Sequence, residues 1–148
     1  MKAYIYLENG VLLEAKAFGK GGSAVANMVF NTSFTAYQEI ITDPSYHGKF
    51  IVFTSPEIGI VGTNNEDSSS DKIYAGSILI RSFNKMPSNF RATKDLDEFF
   101  RENGKFGVYD IDTRFLTMLI REKGEIRAAI STEISNPNDL KKMLDNRS

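Results

Sequence analysis

The stretch "AYIYLENGVLLEAKAF", residues 3–18, constrains the fold more than any other part of the chain. Two runs of aromatic, aliphatic and small residues flank Asn9-Gly10. Asn-Gly between β-rich runs is a strong short-range hairpin signal. Residues 3–7 and 11–18 therefore read as two paired strands. "GKGGS" (19–23) connects them to "AVANMVFNT" (24–32), a third strand. Gly19, Gly21 and Gly22 lack the spacing and the Lys-Ser/Thr pair of a phosphate-cradling loop, so a plain connection explains them.

A short helix is expected next. Thr35 is placed as its N-cap, Gln38 completes a capping box, and Tyr37, Ile40 and Ile41 fall on one side. Pro44 stops it, because the residue before a proline is pushed out of the α region. "DPSY" then reads as a type I turn, with Asp43 first, Pro44 second and Ser45 at the exposed corner. "KFIVFT" (49–54) is a strand, residues 55–72 form a long polar loop, and "IYAGSILI" (73–80) is a strand placed centrally by its apolar end. Helix and strand alternate from there. A helix over 95–103 carries Leu96, Phe99 and Phe100 and stops at Gly104. "KFGVYDI" (105–111) is a strand. Asp112 caps a helix with Phe115, Leu116, Leu119 and Ile120 on its apolar face, ending at Gly124 after Arg121 and Lys123. "EIRAAIST" (125–132) is a strand, and Asn136-Pro137 opens a last helix. The reading is one mixed α/β domain over residues 1–148.

Composition narrows the function. Eighteen basic against nineteen acidic residues leave a formal charge of −1, which argues against a general nucleic-acid footprint. With no cysteine in the chain, disulfides, thiolate metal sites and a cysteine nucleophile are excluded within these residues. No apolar run approaches a membrane span, and the N-terminus is too short in apolar residues for a signal peptide. A cytoplasmic protein without membrane contact is the expectation.

Self-sufficient catalysis finds little support. His47 is the single histidine, and Ser45 lies only two residues from it, a poor arrangement for a nucleophile and its base. A zinc site needs further His or Cys ligands, which the chain lacks, and His47 reads as a solvated loop residue. Carboxylate pairs occur at Asp110/Asp112 and Asp95/Asp97; the first, at a strand-to-helix junction, admits a hard cation, but Asp112 as a helix cap accounts for itself more simply. Arg114, Arg121 and Arg127 read as surface ion-pair partners of Glu122 and Glu125, with partner binding as the alternative. No catalytic residue is assigned. The hydroxyl-rich stretch "NTSFTAYQEIITDPSY" (31–46) reads either as caps and turns or as a contact for a ligand or a neighbouring domain.

Four segments taken in order carry a resemblance: "GSAVANMVFNTSFTAYQEIITDPSY", "GIVGTN", "SNFRATKDLDEFF" and "GVYDIDTRFLTMLIREKG". Together they resemble the N-terminal domain of the carbamoyl-phosphate synthase small (glutaminase) subunit, over roughly residues 3–131. The chain differs from the usual family pattern at Ala36, Ser55, Ile60 and Phe90. The resemblance implies a swivelling β/β/α fold. It implies a part in an enzyme that hydrolyses glutamine and passes ammonia to a large subunit. That subunit uses bicarbonate and two ATP, with Mg2+, to make carbamoyl phosphate for arginine and pyrimidine synthesis. No cofactor is implied for this domain itself. The implied partners are the large subunit, L-glutamine and a C-terminal class I amidotransferase domain bearing a Cys-His-Glu triad, which this chain is expected to lack. The serine of the "TDPSY" motif, Ser45 here, is implied in the glutamine site at the cleft between the two domains. The isolated domain is expected to be inactive. The alternatives are a stand-alone binding or regulatory module with the same fold, and a phosphocarrier using His47.

Overall fold

In the computed structural model, which describes residues 1–32, 42–54, 73–81 and 96–146, β1 (Lys2–Leu7) and β2 (Leu12–Gly19) form the expected antiparallel hairpin. The Leu7 N–H donates to the Val11 carbonyl at 2.9 Å and closes a loop of three residues, Glu8, Asn9 and Gly10, of which only Gly10 takes a positive φ, 92°. A two-residue type I′ loop would need positive φ at Asn9 as well. Instead the Gly10 N–H donates to the Leu7 carbonyl at 2.9 Å, and Asn9 Oδ1 accepts from the Val11 N–H at 3.1 Å. Tyr6 therefore pairs with Leu12, one residue beyond the expected strand start.

Among the described residues five more strands follow: β3 (Ser23–Asn31), β4 (Phe50–Phe53), β5 (Ser77–Leu79), β6 (Phe106–Tyr109) and β7 (Ile126–Ser131). Their order is β1-β2-β6-β5-β4-β3-β7, and β7 pairs back onto β1, closing a barrel. The strands β3, β4, β5 and β6 run parallel to one another, and the remaining pairings are antiparallel. The mixed α/β class expected from the sequence is present, its strands closed into one barrel.

Side-chain alternation fills this barrel. Ala3, Ile5 and Leu7 of β1 turn inward and are fully buried, joining Met28, Phe50, Val52, Leu79, Val108, Ala128 and Ile130 in the central cluster. Outward residues are covered by helices. Phe99 and Phe100 of α1 (Leu96–Glu102) pack with Phe18, Ile51, Phe53 and Ile78. Leu140, Met143 and Leu144 of α3 (Pro137–Asn146) cover Ala129, Tyr4, Tyr6 and Val25. The strands β4 and β5 are buried on both faces, which explains their unbroken apolar runs.

Two expectations are corrected in extent. The strand expected over 73–80 is reduced to Ser77–Leu79, because Gly76 is drawn against the chain at Gly48. Its N–H donates to the Lys49 carbonyl at 2.7 Å, and a Cβ at position 76 would sit 2.8 Å from the Gly48 carbonyl oxygen. On α2 (Thr113–Lys123) the buried residues are Thr113, Leu116, Thr117 and Ile120, while Phe115 and Leu119 are half-buried. The core-facing stripe is thus turned toward the threonines. Leu116 and Ile120 enter the central cluster, so this helix plugs the barrel at the carboxyl ends of its parallel strands. The expected helix around Thr35–Ile41, the long loop 55–72 with Ser55 and Ile60, and Ala36, Phe90 and Asp95 lie outside the described residues, as does the Leu96 side chain.

Candidate functional site

Ser45 occupies the corner the sequence assigned to it. Pro44–Tyr46 make a single 3-10 turn between β3 and β4, with Asp43 as its N-cap. Asp43 Oδ1 accepts from the Ser45 N–H at 3.0 Å, and the Asp43 carbonyl accepts from the Tyr46 N–H at 3.0 Å. Proline presets the φ this turn requires and removes a donor that would otherwise be unpaired. Tyr46 anchors the turn from below: its ring packs on the outer cluster around Phe53 and Val29, and its hydroxyl receives a hydrogen bond from Asn31 Nδ2 at 3.4 Å. The Ser45 side chain is left exposed on a braced backbone, able to donate and to accept without adding charge. Next to it His47 is exposed, its ring edge-on to Tyr74 with centroids 6.2 Å apart.

A second feature lies where the parallel strands end. Thr54, Arg81 and Asp110 follow β4, β5 and β6, and α2 starts beside them. A cleft of about 370 Å³ is lined by Arg81, Asp110, Ile111, Asp112 and Arg114. The adjoining cleft, about 210 Å³, is lined by Thr54, Arg81, Thr113, Arg114, Thr117, Met118 and Arg121. Ser45 lines neither of them.

The carboxylate pairs have structural duties here. Asp112 Oδ1 accepts from the Phe115 N–H at 3.0 Å as the cap of α2. Asp110 has φ 62° and lies 3.7 Å from Lys16 Nζ. Asp97, 7% exposed, accepts from the Gly19 N–H at 2.7 Å and pairs with Arg101 at 2.9 Å, which ties α1 to the end of β2. Among the described residues no group of three His, Asp or Glu side chains is placed to hold a metal ion.

The arginines correct the sequence reading. Among the described residues Arg114, Arg121 and Arg127 form no ion pair with Glu122 or Glu125. Glu125 is taken by Lys49 at 2.6 Å. Hydrogen bonding to Lys49 lowers the Glu125 carboxyl below its ordinary value of 4.5, against partial desolvation, with the Lys49 charge and a hydrogen bond from Asn27 adding to the effect. Arg121 lies over the Phe30 ring, 5.3 Å from its centroid, a cation–π geometry. Arg127 is half-buried in β7 and its Nη2 is sequestered without a partner. Arg81 escaped the sequence reading altogether. Its signal is a charged residue directly after the apolar run Ile78-Leu79-Ile80, which places it on the barrel's rim.

Comparison with known proteins now bears on these features. Residues 5–130 match the family described as carbamoyl-phosphate synthase small chain, CPSase domain. The chain belongs to that family. It is 57% identical over 145 residues to the carbamoyl phosphate synthase small chain of Campylobacter jejuni, covering 98% of this chain and 39% of that one. The Helicobacter hepaticus small chain is 43% identical over 143 residues, with 97% and 38% covered. The chloroplastic small chain of Arabidopsis thaliana is 44% identical over 137 residues, with 93% and 32% covered. The chain thus spans about two-fifths or less of these relatives. Among solved structures, an aminopeptidase from Aneurinibacillus sp. strain AM-1 superposes with a TM-score of 0.50 at 16% identity, covering 87% of this chain and 30% of that one. That likeness concerns the fold alone. Among the described residues no helix is long and apolar enough to cross a membrane.

Proposed function

We propose that this family member serves as the N-terminal domain of the small subunit of a glutamine-hydrolysing carbamoyl-phosphate synthase, working in the cytoplasm. The observation that carries the reading is the family match through residues 5–130, nearly the entire barrel. The domain is a scaffold and a contact surface for the large subunit, and it adds a minor element to the glutamine site. Ammonia released from glutamine passes to the large subunit, which joins it to bicarbonate with two ATP and Mg2+ to give carbamoyl phosphate for arginine and pyrimidine synthesis. The absence of cysteine from these 148 residues agrees with a glutaminase nucleophile supplied by a class I amidotransferase domain.

In this reading Ser45 faces that domain across the cleft and hydrogen-bonds glutamine or closes its pocket. The physical support is the braced turn: a hydroxyl on a fixed corner loses little freedom when it meets a substrate, so more of its hydrogen bond is realised. The test uses this chain assembled with a matching amidotransferase domain and large subunit. Glutamine-dependent synthesis is expected from the assembly and not from the chain alone. Ser45→Ala in that assembly is expected to raise the KM for glutamine about 2- to 10-fold, the range of one neutral hydrogen bond. Synthesis from free ammonia is expected to stay unchanged. An unaltered glutamine KM removes Ser45 from the site. Failure of the chain to bind either partner removes the assembly reading.

A further inference from the structure

Three arginines line the smaller cleft beside α2. Arg114 and Arg121 stand seven residues apart on α2, two turns along the same face. Arg81 reaches the cleft from the end of β5. No carboxylate lines this cleft among the described residues. The adjoining cleft shares Arg81 and Arg114, and both of its acids are engaged, Asp110 with Lys16 and Asp112 with the Phe115 N–H. Two of the three threonine hydroxyls are also committed as donors. Thr117 Oγ1 donates to the Thr113 carbonyl at 2.8 Å, and Thr54 Oγ1 donates to the Asn31 carbonyl at 3.5 Å. What the cleft offers is therefore a set of guanidinium N–H donors and excess positive charge.

Like charges held at one cleft repel, and a chain with a formal charge of −1 has carboxylates enough to neutralise them elsewhere on its surface. Here Arg81 and Arg114 line a cavity with no ion-pair partner among the described residues, and Arg121 beside them lies over the Phe30 ring. A dianion relieves three such charges better than a single carboxylate does, and the guanidinium fork matches the paired oxygens of phosphate. Size limits the ligand further. A volume of about 210 Å³ falls below the roughly 300–1,000 Å³ of sites that engulf a complete small molecule. It suits a phosphate group with the rest of any ester left outside. The mouth of a barrel at the ends of its strands is also a common place for such sites.

We propose that this cleft binds a phosphate group, held by Arg81 and Arg114 with Arg121 as the third cation. The inference does not rest on the assembly reading, since it concerns only side chains within this chain. Calorimetric titration of the 148-residue chain with inorganic phosphate at low ionic strength tests it, with sugar phosphates as a second arm. Saturable one-to-one binding is expected, weakened about tenfold or more by Arg114→Gln and by Arg81→Gln, the loss of one charge-assisted contact. Lys141→Gln on the exposed side of α3 is expected to leave binding unchanged. Circular dichroism establishes that each variant is folded, and Arg114→Lys, which keeps the charge and loses the fork, is expected to bind with intermediate strength. Tighter binding of an ester identifies a phosphorylated metabolite as the source, and equal binding identifies free phosphate. Titration that does not saturate, or that is weakened as much by Lys141→Gln as by the arginine variants, overturns the proposal.

Discussion

Gly107 in β6 lies against the tip of the Phe18 ring, and a Cβ built there collides with three of that ring's atoms. The ring cannot simply retreat, because it packs edge-on against Phe100 at 5.2 Å and against Tyr109 at 6.2 Å. Gly107→Ala is therefore expected to cost about 1–3 kcal/mol in urea denaturation, the usual range for overpacking. Adding Phe18→Leu to that variant is expected to recover part of the loss, and strict additivity of the two changes counts against the clash. The Lys49–Glu125 pair makes a smaller, pH-dependent contribution. Because folding lowers the Glu125 pKa, its stabilisation is present above 4.5 and is lost as the pH falls through the folded value. Both side chains are at least a third exposed, so screening holds the effect within roughly 0–1 kcal/mol. Lys49→Met is expected to return the Glu125 carboxyl toward 4.5 in an NMR titration and to flatten stability below that pH. Single positions were unevenly legible in the sequence. Ser45 and Asp112 announced themselves through local rules, a proline turn and a helix cap. Arg81 did not, because its meaning depends on which strands end beside it. Glu125 and Lys49 are distant in the chain, and no local pattern pairs them.

Local chemistry also decided which secondary structures could be read in advance. The α2 helix has a complete set of signals: Asp112 as cap, Arg121 and Lys123 in the last turn, and Gly124 at φ 82° past its end. Asp112→Ala is expected to lower stability by about 0.5–2 kcal/mol, the range of a lost N-cap. Asp112→Asn, which keeps an acceptor, is expected to restore most of it in the same denaturation assay. Equal losses from both variants point to charge at the helix end, not capping, as the source. The hairpin was legible because Asn-Gly is a local device, though its three-residue loop was not, since only Gly10 of that pair takes a positive φ. The strand β5 was overextended for the opposite reason. Its apolar run continues through Ile73 and Ala75, both fully buried, but those residues pack under α1 without joining the ladder. Burial and strand pairing leave the same mark in a sequence, and only the close approach of Gly76 to Gly48 separates them.

Closure of the barrel is a property no local signal announces. It depends on β7, which is nearly last in the chain and pairs with both β1 and β3. Six register pairs run from Ser23↔Ser131 to Met28↔Ile126, and four more from Tyr4↔Ser131 to Leu7↔Ala128. Removing β7 opens two long edges and uncovers the inward faces of Ile5, Leu7 and Met28, which are buried at 0–1% exposure. Exposed edges of that kind template association between chains. Truncation after Gly124 is thus expected to abolish the cooperative thermal transition and to give aggregates on size-exclusion chromatography. Truncation after Ser135 should behave differently, since it removes α3 and leaves every strand in place. That loss exposes the outer cluster of Tyr4, Tyr6, Val25 and Ala129, and three buried side chains, Leu140, Met143 and Leu144, no longer contribute. At about 1.5–3 kcal/mol for burying each, and less because the cost of ordering the ten deleted helix residues disappears with them, the product is expected to stay folded with a lower melting temperature. If both truncations melted alike, the barrel would owe its integrity to the covering helix. If only the shorter chain collapses, the last strand is what holds the two halves of the sheet in one piece.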